Sequence, residues 1–364
     1  TITMQRARKR DAKATLPMMH TSGGKTIFRV KRRNGAFFTP TKHYSVLLIV
    51  FFVGFLEKIN NVKLTAAAHS ATNILTSGKP FLVYGTAWKK EMTAQYVSDA
   101  IHAGFRFIDT ACQPKHYNEA GVGHGWITAT QELGLKRSDI FLQTKYTSYA
   151  GQDPNNVPYD HHAPVEEQVK QSLAASLKNL QTTYLDSLVM HSPMDTMDDT
   201  LKVWKVMESF VDEGKVHQIG ISNIYDSEKF QILYNEARIK PWVVQNRLYA
   251  ESNFDTELRS FLKEHGVKYQ SFWTLTANRN ALATAEVKEL AQAKGLTPQT
   301  YMFAFLMSLG YITPLSGTTN KGHMAEDVAV MERMQGGETI IADEKEQHLM
   351  AQLLGLPDAG FPDL

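Results

Sequence analysis

YLDSLVMHSPMDTMDDTLKVWKVMESFVDEGKVHQIGISN, residues 184–223, reads as one strand, one helix and a second strand. LDSLVMH (185–191) is a short β-rich run ending on a polar residue. From Leu201 to Val211 the apolar residues recur at helical spacing, and DEG at 212–214 supplies a glycine stop. HQIGISN (217–223) is again a short β-rich run. Strand, amphipathic helix and strand in close succession describe a parallel βαβ unit.

The same alternation extends in both directions. Toward the N-terminus lie FLVYGT (81–86), FRFIDT (105–110) and IFLQTKY (140–146). Toward the C-terminus lie WVVQNR (242–247), VKYQSFWTL (267–275) and YITPLSGTT (311–319). Helical patterns separate them, as at 94–103, 165–180, 256–264 and 286–293, with stops such as HAG (102–104) and KEHG (263–266). Eight strand and helix units in a stretch of about 250 residues predict an α/β chain folded as a (β/α)8 TIM barrel, spanning 71–340. A doubly wound sheet is the alternative. Against it, no G-x-G-x-x-G follows the first strand.

Composition agrees with a globular barrel. The chain has 364 residues, 43% apolar and 21% charged. Its single cysteine, Cys112, excludes an internal disulfide framework and favours a reducing compartment. The net charge of +2 hides an asymmetry. Residues 1–70 hold thirteen of the 39 Lys and Arg but only Asp11 and Glu57 of the 37 acids, so the body carries 26 basic and 35 acidic residues. An acidic body argues against a nucleic-acid partner.

The leader, 1–70, is a basic N-terminal extension with RARKR (6–10), RVKRR (29–33) and the uncharged run SVLLIVFFVGFL (45–56). That run is shorter than the roughly 20 residues a spanning helix needs. Three readings stand: a targeting or anchoring leader, an extension packed on the barrel, or non-native upstream sequence. Membrane contact is expected only through 45–56. A cytoplasmic location is favoured, with organelle or membrane targeting through 1–70 as the alternative, and a monomer is the default.

In a TIM barrel the chemistry sits at the C-terminal strand ends. Asp109 ends strand two, Lys145 strand three and His191 strand four, while Tyr117 lies in the loop after strand two. Singly, an Asp-Thr after a strand is an ordinary turn, and a His before Ser-Pro is ordinary loop chemistry. Together they suit carbonyl reduction, which needs hydride on carbon and a proton on oxygen. A lysine ammonium favours tyrosinate and is expected to lower the tyrosine pKa from about 10. Asp109 would hold Lys145, and a neutral His191 would polarise the substrate oxygen.

At these residues the chain resembles the aldo-keto reductase family, over nearly all of 75–335. FIDTA (107–111), TKY (144–146), YLDSLVMHSP (184–193), EGKVHQIGISN (213–223), PWVVQNR (241–247) and PLSGTTNKGHMAED (314–327) match its motifs in order. The resemblance implies an NAD(P)H-dependent oxidoreductase acting on an aldehyde, ketone or sugar, without a metal. It implies a tetrad of Asp109, Tyr117, Lys145 and His191. Ser222, Asn223 and Gln245 would bind the nicotinamide carboxamide, and Phe272, or else Trp273, would stack on the ring. Gly85 and Thr86 would line the cofactor from strand one. Thr318, Thr319 and Asn320 could bond the phosphate or ribose, and Lys321 and His323 would meet a 2′-phosphate. Glu326 and Asp327 would hold the adenine; the plain alternative is a solvated helix face.

Two departures qualify this. The family places its tyrosine five residues after the aspartate, where this chain has Pro114. The loop is read as lengthened by about two residues, with Tyr117 as the acid and His116 as a substitute donor. Cys112 is read as a bystander. The family's basic residue after the proline of strand eight is missing from SGTT, and its later arginine aligns with His323. NADP is still favoured over NAD, by a narrow margin, because Lys plus His is a weaker clamp than Arg plus Lys. Trp88 and Trp126 are candidate pocket walls, with core packing as the plain alternative. The tail, 341–364, folds over the mouth or caps the barrel. Two other functions remain open. One is a nucleotide-binding sensor with little turnover, and the other a barrel hydrolase or isomerase using Asp109 and Glu119.

Overall fold

The computed structural model describes residues 70–342 and 344–354, and the backbone of four short strands nearer the N-terminus. Those four form two antiparallel hairpins, Met19–Ser22 with Lys25–Phe28 and Val30–Lys31 with Phe37–Phe38. The apolar run 45–56 lies outside the described residues. The chain divides into two compact units, Thr1–Leu64 and Thr65–Leu364.

In the second unit, eight parallel strands close into a barrel in sequence order. They are Val83–Gly85, Phe107–Asp109, Phe141–Tyr146, Leu185–Met190, Val216–Ser222, Val243–Arg247, Lys268–Phe272 and Ile312–Ser316, numbered one to eight below. Strand eight pairs with strand one, which removes every free edge. This is the predicted (β/α)8 barrel, and the doubly wound alternative is excluded by closure. A helix follows each strand, from Thr93–Ala103 after strand one to Lys321–Gln335 after strand eight.

Local chemistry explains the boundaries. Asn118, Thr196 and Asp226 each accept the backbone N–H three residues on, opening the helices Glu119–Leu133, Met197–Asp212 and Ser227–Glu236. Gly214 and Gly266 stop helices with φ of 68°, a conformation that disfavours other residues. A Cβ on Gly123 would run into the Asn179 carbonyl, so this glycine lets helices Glu119–Leu133 and Val165–Leu180 pack closely. The helix Pro298–Ser308, capped by Thr297, is buried on nearly all sides.

Alternation along the strands stratifies the barrel interior. At the N-terminal end Phe81 stacks on Phe107 at 3.9 Å, and Phe107, Phe141 and Trp242 continue the contact. Two residues further along the same strands come Asp109 and Gln143, which pair in register. Gln245 and Gln270 are likewise paired between strands six and seven. An apolar floor thus carries a polar layer, and the site opens above it.

The helix Glu344–Leu353 lies against the outer helices: Glu346 accepts from Tyr301 Oη at 2.5 Å and pairs with Lys294 at 3.2 Å. As far as residue 354 the tail caps the barrel side rather than the mouth. Among the described residues no helix is long and apolar enough to cross a membrane.

Candidate active site

The polar layer is organised around Asp109. Lys145 Nζ donates to both of its carboxylate oxygens, at 2.7 and 2.6 Å, and to the Thr110 carbonyl at 2.8 Å. Gln143 and Gln245 also donate to Asp109 Oδ1, at 2.8 and 3.0 Å, and both donate to Gln270. Both partners of the ion pair are almost wholly buried. Burial pulls the Lys145 ammonium below the ordinary lysine range, while Asp109 draws it back up.

Tyr117 lies above this pair, its ring centroid 5.3 Å from Lys145 Nζ. It also meets the His191 ring edge-on, with centroids 6.0 Å apart. The long loop reaches this position through a tight turn, in which Tyr117 N donates to the Gln113 carbonyl at 3.0 Å and His116 N to the same oxygen at 3.1 Å. Gln113 is fixed in turn by its amide on the Gly151 carbonyl at 2.6 Å. The structure therefore brings Asp109, Tyr117, Lys145 and His191 together.

The electrostatics differ from the sequence expectation. Burial, and then the Asp109 carboxylate, push the Tyr117 phenol above the ordinary tyrosine value. Lysine was expected to lower it. Burial of the phenol is the larger cause, and the ammonium is itself held by both Asp109 oxygens. His191 is pulled down to about 3, by burial first and then by Lys145 and His116. Its Nδ1 is 2.6 Å from Thr147 Oγ1. With the threonine hydroxyl as donor, the neutral ring presents Nε2–H to the cavity.

A cavity of about 820 Å³ opens over these groups. Tyr117, His191 and Asp109 line its floor, and Trp88, packed at a tilt of 34° on the His116 ring with centroids 3.8 Å apart, forms one wall. Gly85, Thr86, Ser222, Asn223, Gln245 and Phe272 line it, as do Thr318, His323, Glu326 and Asp327. Asn223 is held in the left-handed region, φ 52°, with its amide donating to the His191 carbonyl at 2.8 Å. Asp327 accepts from Ser316 Oγ at 2.6 Å, and burial pushes it up to about 6.

Several expected residues fall elsewhere. Trp126 is no pocket wall: it is buried, its Nε1 donates to the Leu180 carbonyl at 2.9 Å, and it packs between outer helices. Thr319, Asn320 and Lys321 do not line the cavity. Asn320 caps the helix Lys321–Gln335, bonding the N–H groups of Gly322 and His323. Lys321 pairs with Asp99 at 2.8 Å on the surface. Glu119 sits on the outer face of strand three, bonded by Thr144 and Ser176 at 2.6 and 2.8 Å, so it cannot work with Asp109. Cys112 is buried beside it, its thiol pushed up by burial.

Sequence reasoning missed Gln143, Gln270, Thr147, Lys89 and Arg247. Gln143 and Arg247 stand two residues from Lys145 and Gln245 on the same strand faces, a period-two signal that was there to read. Lys89 donates to the Gly317 carbonyl at 2.9 Å, and burial pulls it down to about 8.

The site fits a nicotinamide dinucleotide. The cavity has the volume of a ligand site. Side-chain amides, aromatic rings, hydroxyls and carboxylates line it, and the Nε of Arg247, another lining residue, is buried without a partner. Among the described residues no cluster of His, Cys, Asp or Glu could hold a metal.

Comparison with known proteins points the same way. The model of the aldo/keto reductase family matches residues 81–336. A methylglyoxal reductase of Salmonella typhimurium is 28% identical over 67% of this chain and 81% of its own length. A 9,11-endoperoxide prostaglandin H2 reductase of Trypanosoma cruzi is 27% identical over 74% of this chain and 87% of its own. The solved aldose reductase of Schistosoma japonicum superposes with a TM-score of 0.61 at 24% identity, covering 78% of this chain and 93% of that one, which shows a shared fold.

Proposed function

This chain belongs to the aldo/keto reductase family, and from that premise we propose that it reduces an aldehyde or ketone with hydride from NADPH or NADH, Tyr117 giving the proton. The family makes it an NAD(P)H-dependent oxidoreductase acting on small carbonyl compounds. The observation that carries the finer reading is the buried Lys145 and Asp109 pair beneath the Tyr117 ring, beside a neutral His191.

When bound, the nicotinamide supplies hydride to the carbonyl carbon. The protein's own groups handle the oxygen. His191 Nε2–H donates to it and stabilises the charge that develops. Tyr117, held above the ordinary tyrosine value, stays protonated through the neutral range and gives up its proton only to a base as strong as an alkoxide. Lys145 fixes Asp109 and keeps the floor of the site close to electrically neutral. Asn223 and Gln245 supply amides to the nicotinamide carboxamide.

NADPH is favoured over NADH by a narrow margin. His323 lines the cavity, but Lys321 must leave Asp99 to reach a 2′-phosphate. Lys321 is exposed in that pair while Asp99 is largely buried, so the ammonium is the partner free to swing away. The relatives named as methylglyoxal reductases put small 2-oxoaldehydes first among substrates to try. The test is oxidation of NADPH and NADH with a panel of 2-oxoaldehydes, aliphatic aldehydes, ketones and sugars. Turnover with one of these supports the reading. Tight NADPH binding without turnover on any would leave a nucleotide-holding sensor in its place.

A further inference from the structure

Arg247 ends strand six, two residues beyond Gln245 and on the same inward face. It is half-buried and is the only Lys or Arg among the residues lining the cavity. Three aromatic rings hold its guanidinium, Trp273 at 4.1 Å, Tyr249 at 5.0 Å and Phe272 at 5.9 Å from their centroids. It forms an ion pair with no carboxylate among the described residues, and its Nε is buried without a hydrogen-bond partner. Asp255 accepts from Asn246 and Tyr269 through Oδ2 and keeps Oδ1 buried without a partner, yet forms no ion pair with Arg247.

A guanidinium packed in this way leaves donors unmet, which costs stability unless an anion completes them. The rings hold the planar group flat and spare it the entropy of searching. Its position identifies the anion. Gln245 and Phe272 mark the end of the cavity assigned to the nicotinamide, and Thr318, His323 and Asp327 the end assigned to the adenosine. Trp273–Thr276, which continue the chain from Phe272, also line the cavity, and Arg247 stacks on Trp273. In a dinucleotide the two halves are joined by a diphosphate. We infer that Arg247 is the chain's contact for that diphosphate, a forked donor to its oxygens and the main counter-charge in the cavity. The inference rests on the nicotinamide reading above. A carboxylate on the carbonyl substrate is the competing occupant. It is less favoured because the wall of Trp88 and His116, beside Tyr117, belongs to strands one and two, across the barrel from strand six.

The test is calorimetric titration of the full chain and of its Arg247→Met and Arg247→Lys variants. The probes are NADPH, ADP-ribose, which keeps the diphosphate but lacks nicotinamide, and 2′-AMP, which has no diphosphate. Arg247→Met is expected to weaken NADPH and ADP-ribose by about 10- to 100-fold while leaving 2′-AMP within twofold. Arg247→Lys, which keeps the charge but loses the fork, should fall between. The salt dependence of ADP-ribose binding should flatten in the Met variant. ADP-ribose affinity unchanged in both variants overturns the inference and leaves the nicotinamide reading standing. So does a loss confined to the KM of carboxylate-bearing carbonyls. A full chain that binds none of the three probes overturns both.

Discussion

Lys145 Nζ lies 2.7 and 2.6 Å from the two oxygens of Asp109 and 5.3 Å from the centroid of the Tyr117 ring. The ammonium therefore belongs first to the carboxylate and only second to the phenol. Lys145→Met would strand a buried carboxylate with glutamine amides as its remaining side-chain donors. The expected cost is about 3–5 kcal/mol of stability, read from urea unfolding. Lys145→Met/Asp109→Asn should recover most of it without recovering the rate. A single variant with a rate within about threefold of the parent would show that the pair has no part in turnover.

Tyr117→Phe should lower kcat by about 10²- to 10⁴-fold and leave NADPH affinity nearly unchanged. The His116 ring, packed against Trp88, is the remaining candidate donor at the mouth. If Tyr117→Phe retains activity and Tyr117→Phe/His116→Ala loses it, the imidazole carries the proton.

His191 should titrate near 3 rather than near 6.5. Its folded value lies below its unfolded value, so the unfolded chain binds the extra proton first as pH falls. Its contribution to stability is fully present above pH 6.5 and is lost on acidification between about 6.5 and 3. NMR titration of labelled histidine, with His191→Gln to assign the signal, checks this. A His191 midpoint near 6.5 would contradict the neutral ring.

Deleting residues 1–69 should leave a folded and active barrel. Ser70, whose hydroxyl accepts from Asn73 N at 3.3 Å, caps the helix Ala71–Thr76, and every barrel strand follows. Circular dichroism melting and turnover of the shortened chain read the outcome. An insoluble product would place the apolar run 45–56 among the groups the fold needs.

The barrel was legible because most of its strands and helices carry a period of their own, and glycines such as Gly214 and Gly266 stand at the helix ends. The helix Pro298–Ser308 escaped the segments named from the sequence because YMFAFLM is apolar on every face and has no period to detect. At the site, Asp109, Lys145 and His191 were legible as polar residues ending β-rich runs. Trp126 was misplaced because sequence gives its position on a helix and not which face turns inward. The direction of the Tyr117 shift was misread for a related reason. It depends first on how deeply the folded loop buries the phenol and then on the nearby Asp109 carboxylate, and position in the chain gives neither.

Of the five tryptophans, Trp88 and Trp273 stand at the cavity rim, 60% and 51% exposed, while Trp126 and Trp204 are buried in the body and Trp242 packs on Phe141 in the apolar floor. The protein thus carries its own optical reporter. Reduced nicotinamide absorbs where indole emits, so loading should quench indole emission by energy transfer, the two rim residues most strongly. Occupancy could then be followed during turnover without attaching any dye.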